Sequence, residues 1–255
     1  MKLKTVEDLS DKLDYEISWR RVELTNLKFN IENIKGSTLS TNLRSSLVLL
    51  YAHWEGFVKK SLTYYLEYVS NQKLNNNQLK YNFFALEISH EMEEFSKTKK
   101  NTLHTKIIES IFDKMSKKSS IPFKNKIDTK SNLNSNLFEE LMFSVGLETL
   151  EYQTYYKIID ERLLGTRNQI AHGEALQHLQ LTKESYLELH EIMKNIIEKL
   201  KEQIVEAAIN KSYMIRSEEY SDGCEPHNIV LATNENLVST ESGAPCCQYR
   251  KPTLV

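Results

Sequence analysis

Seven consecutive residues, Arg167-Asn168-Gln169-Ile170-Ala171-His172-Gly173, hold the most concentrated chemistry in the chain. Arginine offers a permanent cation with a planar donor fork that matches phosphate, and histidine takes up and releases a proton near neutral pH. Together they can attack or hold a phosphodiester. Asn168, four residues before His172, shares its helix face and is placed to orient the imidazole or to contact a sugar. Arg167 and His172 are five apart, about 140° around an ideal helix, so they do not point together unless the arginine curls or the helix bends. The rival reading is structural: a helix end held by a bridge from Arg167 to Asp160, Glu161 or Glu174, with His172 as a cap.

These groups must be carried by helices. Seven glycines and four prolines in 255 residues are few for the tight turns of an all-β fold, and 40 % hydrophobic content is enough for a real core. The fold class expected is all-α, an antiparallel bundle of long helices. Apolar residues at Val6, Leu9, Leu13, Ile17, Leu24, Leu27, Ile31 and Ile34 mark a first amphipathic helix ended by Gly36, with Ser37 or Thr38 able to cap the next. The helix carrying the motif is expected over 151–172, loosened at Gly165-Thr166 and stopped by Gly173. Thr182 is expected to cap the last helix, and two others are expected over 78–96 and 102–115. The periodicity stops near Asn210, so residues 1–211 are read as one helical domain and 212–255 as an irregular tail.

The most apolar helix, expected over 38–71, reads as the central one, and it contains unusual polarity. Arg44 is a candidate to line the site and bind substrate. The run Tyr51-Ala52-His53-Trp54-Glu55-Gly56-Phe57-Val58-Lys59 adds His53 and Glu55 as further candidates. They sit about 200° apart around the helix and cannot share a face, while Glu55 and Lys59 have the spacing of a surface ion pair.

The formal net charge of −2 gives no global attraction for nucleic acid, so any such binding needs a local patch. Ten lysines between Lys97 and Lys130, against Glu109, Asp113 and Asp128, are the best footprint for RNA, although such a composition also fits a solvated loop. Cys224, His227, Cys246 and Cys247 all lie in the tail. Adjacent cysteines rarely fit a tetrahedral chelate, so no metal or cofactor is expected and the thiols are read as reduced. No apolar run approaches the ~20 residues of a membrane span. The start, Met1-Lys2-Leu3-Lys4, leads into a charged helix rather than a signal peptide, and a cytoplasmic protein without membrane contact is expected.

The pattern Arg167-Asn168-x-x-Ala171-His172-Gly173 resembles the catalytic signature of the HEPN superfamily, and the segment at 51–59 resembles one bacterial branch of HEPN-like nucleases. That resemblance implies a small helical, metal-independent endoribonuclease of a toxin or antiphage defence system, acting on RNA such as tRNA. In it Arg167 would stabilise charge on the phosphoryl oxygens and His172 would move a proton. It also implies a homodimer in which two motifs meet across a two-fold axis, and an antitoxin or defence-system partner protein. The alternative within the resemblance is a non-catalytic module that binds a nucleotide, RNA or a protein.

Overall fold

The computed structural model describes residues 2–174 and 181–215. The first helix, α1 (Val6–Asn33), starts where a Thr5–Asp8 capping box satisfies two free N–H groups and stops where Ile34 turns extended. Gly36, at a φ of +78°, reverses the chain into α2 (Leu39–Asn71). The expected side-chain cap by Thr38 is absent, because a single 3₁₀ turn over Gly36–Thr38 leads straight into the helix.

Helix α2 is the axis of the fold. Leu43, Leu47, Leu50, Trp54, Phe57, Val58, Leu62, Tyr65, Leu66 and Val69 are buried around most of its circumference, as a helix covered on several sides requires. The last helix, α8 (Lys183–Ile209), begins at the expected Thr182 cap and completes a three-helix core with α1 and α2. It runs antiparallel to α1, to which it is tied by Arg21–Glu198 at 2.5 Å, Lys28–Glu191 at 2.8 Å and the Lys201–Asp14 pair.

Between α2 and α8 the chain makes shorter elements: α3 (Tyr81–Glu87), α4 (Ser89–Lys97), α5 (Asn101–Met115) and α6 (Ser135–Ser144). The single helix expected over 78–96 is therefore two. The break falls at Ile88, where ψ rises to 10° and the Ser89 hydroxyl donates to the Leu86 carbonyl at 3.0 Å, a local competitor for the helical bond. Helices α4 and α5 bury no residue fully; they are joined by His104, stacked on Phe95 and bonded to the Thr98 carbonyl at 2.8 Å.

The lysine-rich stretch is not the solvated loop its composition allows. Ile121, Ile127 and Leu133 are buried and fix residues 116–134 against the core. Several of its cations are also occupied, since Lys97 pairs with Glu93, Lys114 with Glu91 and Lys117 with Asp113, while Lys126 bonds Ser89 Oγ. No strand forms among the described residues, which hold only the isolated bridges Asn75–Lys118 and Leu79–Met214. No helix among them is long and apolar enough to cross a membrane. The expected tail begins within the described residues, where Tyr213 is buried edge-on to Tyr68, and its remainder with the cysteines lies outside them.

Candidate functional site

The helix expected over 151–172 is assembled from three kinds of turn. A 3₁₀ segment, Leu150–Tyr155, is followed by a π-helical segment, Ile158–Gly165, and only then by the α-helical α7 (Thr166–Ala171). Wide π turns cost hydrogen-bond quality and are found frequently at functional sites. Here the segment is braced on both sides. Asp160 accepts from the Ser135 backbone at 2.7 Å and its hydroxyl at 2.5 Å, and Arg162 donates to the Ser185 carbonyl and to Glu188.

Helix α7 ends in a Schellman turn. Gly173, at a φ of +82°, donates to the Ile170 carbonyl at 3.0 Å, and Glu174 N–H reaches back to the Gln169 carbonyl at 3.1 Å. Only glycine takes that φ without strain. This turn leaves His172 as the C-cap of α7, exposed to solvent, with no hydrogen bond or ion pair to its imidazole among the described residues. Arg44, from α2, donates one guanidinium nitrogen to the Glu174 carbonyl and another to the Ile170 carbonyl at 3.5 Å. It therefore fastens the end of α7 to α2, and the cation suits the carbonyl end of the helix.

Arg167 is half-buried and points the other way. Its guanidinium lies 4.8 Å from the centroid of the Tyr51 ring, a cation–π distance. It donates to Asn168 Oδ1 at 2.8 Å, and Asn168 Nδ2 donates in turn to Asn132 Oδ1 at 3.2 Å. The bridge to Asp160, Glu161 or Glu174 does not form, and among the described residues Arg167 has no carboxylate partner. No hydrogen bond joins Arg167 to His172 within the chain. The angular offset read from the sequence is real.

Two residues at this site were not singled out from the sequence. Tyr51 forms the shelf under Arg167, and its hydroxyl accepts from the Leu133 backbone at 2.7 Å. Burial pushes that hydroxyl up to about 12, with the Glu55 charge adding to the effect and Arg167 opposing it, so it stays protonated. Asn132, at the end of the lysine-rich loop, completes the chain from Arg167. Neither contact is local, so no spacing rule could have signalled it.

The segment at 51–59 is divided between two sides of α2, as the spacing of His53 and Glu55 required. Glu55 stays on the Tyr51 side, but the expected pair with Lys59 is not made. One of its carboxylate oxygens is buried with no hydrogen-bond partner among the described residues. His53 faces α1 instead and is not brought to the motif. Its Nε2 lies 3.2 Å from Glu23 without the alignment of a hydrogen bond, its ring is tilted against Trp19, and its carbonyl accepts from Arg20 at 3.4 Å. Arg20 is itself buried, bonded to Glu16 at 2.6 Å, which also accepts from Tyr64 at 2.9 Å. Gly56 belongs to this cluster, because a Cβ there would stand 3.1 Å from Arg20 Nη2.

Among the described residues no group of histidine, cysteine or carboxylate side chains is arranged to hold a metal. A family model described as RiboL-PSP-HEPN matches the chain over residues 15–206, from within α1 to near the end of α8. No curated protein and no solved structure matches it.

Proposed function

Because the chain belongs to the RiboL-PSP-HEPN family, we propose that it is a metal-independent endoribonuclease, acting as a homodimer in a toxin or antiphage defence system. The observation that carries the reading is Arg167, a half-buried guanidinium held by a ring and an amide rather than by a carboxylate. Such a cation keeps its charge for a phosphate.

The chemistry is transesterification. The ribose 2′-oxygen loses its proton and bonds to the adjacent phosphorus, the bond from phosphorus to the 5′-oxygen breaks, and the leaving oxygen takes up a proton. Arg167 stabilises the charge that builds on the phosphoryl oxygens. His172, exposed at the end of α7, handles a proton. In the homodimer the His172 of a two-fold related copy faces this Arg167, and water completes the second proton transfer. Single-stranded or looped RNA such as tRNA fits an open surface site, because its bases and sugars are accessible. The setting is cytoplasmic, with an antitoxin or defence-system protein as partner, and residues 1–211 form the working domain.

The test is cleavage of total RNA in EDTA by the purified chain. His172→Ala and Arg167→Ala are expected to abolish product while leaving the helical circular-dichroism signal unchanged. Cleavage undiminished in both variants would sink the assignment. The separation of Arg167 from His172 within a protomer favours a second reading, a non-catalytic module that binds RNA, a nucleotide or a protein. Retention of labelled RNA with no product on a gel would select it.

A further inference from the structure

Beside the motif lies a groove of about 310 Å³ lined by Lys130, Asn132, Asn134, Asn136, Leu137 and Glu140. Its polarity follows from hydrogen bonds made outside it. Arginine can only donate, so the atom of Asn168 that meets Arg167 must be the oxygen, and the nitrogen of Asn168 is the atom turned to Asn132. Asn132 therefore gives its oxygen to Asn168, and its amide N–H₂ makes no hydrogen bond among the described residues. Asn134 arrives at the same state by another route, because its oxygen caps α6 by accepting from the Leu137 backbone at 2.8 Å. Lys130 is a donor by nature, and its ammonium group is engaged in no ion pair or hydrogen bond among the described residues. Lys130 and Ser131 beside it both hold left-handed φ values, 51° and 52°, a conformation disfavoured for residues other than glycine.

We propose that this groove is a substrate subsite of the candidate nuclease, in which Asn132, Asn134 and Lys130 donate hydrogen bonds to oxygen acceptors on the nucleotide flanking the phosphate held by Arg167. The inference rests on the RNA-directed reading above and adds where the flanking nucleotide sits. The acceptors are either phosphate oxygens or base carbonyls, and the same experiment separates the two. Leu137 gives the groove an apolar surface for a base, and Glu140 supplies the single carboxylate of its lining.

Asn132→Asp is the decisive variant. Aspartate still offers an oxygen to Asn168, so the support of the motif is kept while the groove loses its donor. Asn134→Ser is its uncharged companion, since serine keeps the cap of α6. The full chain is titrated by fluorescence anisotropy against labelled single-stranded 2′-O-methyl oligonucleotides of U, C, G or A, which cannot be cleaved by 2′ attack. Asn132→Asp is expected to weaken binding about tenfold and Asn134→Ser about threefold, the loss of one hydrogen bond each with an added like charge in the first. Equal losses on all four oligonucleotides identify phosphate, and losses that spare A, the one base without a carbonyl, identify base carbonyls.

Wild-type affinity in Asn132→Asp overturns the subsite, whatever Asn132→Ala does, because the residue would then merely support Asn168. A wild-type chain that binds none of the oligonucleotides overturns it as well. Unmodified RNA that is bound in an Asn132-dependent manner but never cut removes the nuclease reading and leaves the subsite standing.

Discussion

His53 shows how a polar residue in a core helix divides between chemistry and architecture. With His190 it lies between α1, α2 and α8, where His190 Nε2 donates to the Leu24 carbonyl at 2.9 Å and His190 Nδ1 has no hydrogen-bond partner. Burial lowers both imidazole pKa values; Glu23 and Glu191 oppose the effect, and Arg20 and Lys28 add to it. The folded chain therefore binds these protons less readily than the unfolded chain, whose histidines titrate near pH 6.5. Stability is flat above that pH and falls as pH drops through it, because the unfolded state is protonated first. The loss continues until the folded-state values are reached. Urea midpoints measured between about pH 7.5 and 5 should decline, and His53→Gln with His190→Gln should flatten the decline, well above the range where carboxylates near 4.3 begin to titrate. An equal slope in the double variant would place the titration elsewhere.

At the scale of the element, legibility tracked periodicity. α1, α2, α5 and α8 repeat apolar residues over several turns, and their observed limits fall within a residue or two of those expected. The 3₁₀ and π segments before α7 did not show, because Tyr155, Ile158, Ile159 and Leu163 keep helical spacing whichever hydrogen bond closes the turn. Of the candidate site, Arg167, Asn168, His172 and Gly173 could be read from local types and order, whereas Tyr51 and Asn132 join it only through the packing of distant elements. Gly173 is the residue at which local order bears most directly on the proposed site. Its left-handed φ sets the Schellman turn and with it the exit of His172. Gly173→Ala should cost roughly 1–2 kcal/mol at the turn, lower the melting temperature by a few degrees and reduce cleavage more than binding, because Arg167 is untouched. Full cleavage in that variant would show that the position of His172 does not matter.

At the scale of the molecule, the separation of Arg167 and His172 within one chain becomes a statement about assembly. The first is half-buried over Tyr51 and the second exposed at the far end of α7. In the homodimer proposed here, the arginine of one protomer works with the histidine of the other. Two-fold symmetry then makes two equivalent composite pairs. Mixing Arg167→Ala and His172→Ala chains distinguishes this from a site complete in each protomer. Half of randomly exchanged dimers are mixed, and each mixed dimer holds one intact pair, an Arg167 from one subunit facing a His172 from the other. Two inactive preparations unfolded and refolded together should thus recover roughly a quarter of wild-type cleavage. Were each protomer self-sufficient, every chain in the mixture would still lack one of its own two groups, and no cleavage would return. With an affinity tag on one variant only, co-purification of the untagged variant fixes whether exchange took place, so an inactive mixture of true heterodimers would refute the shared site.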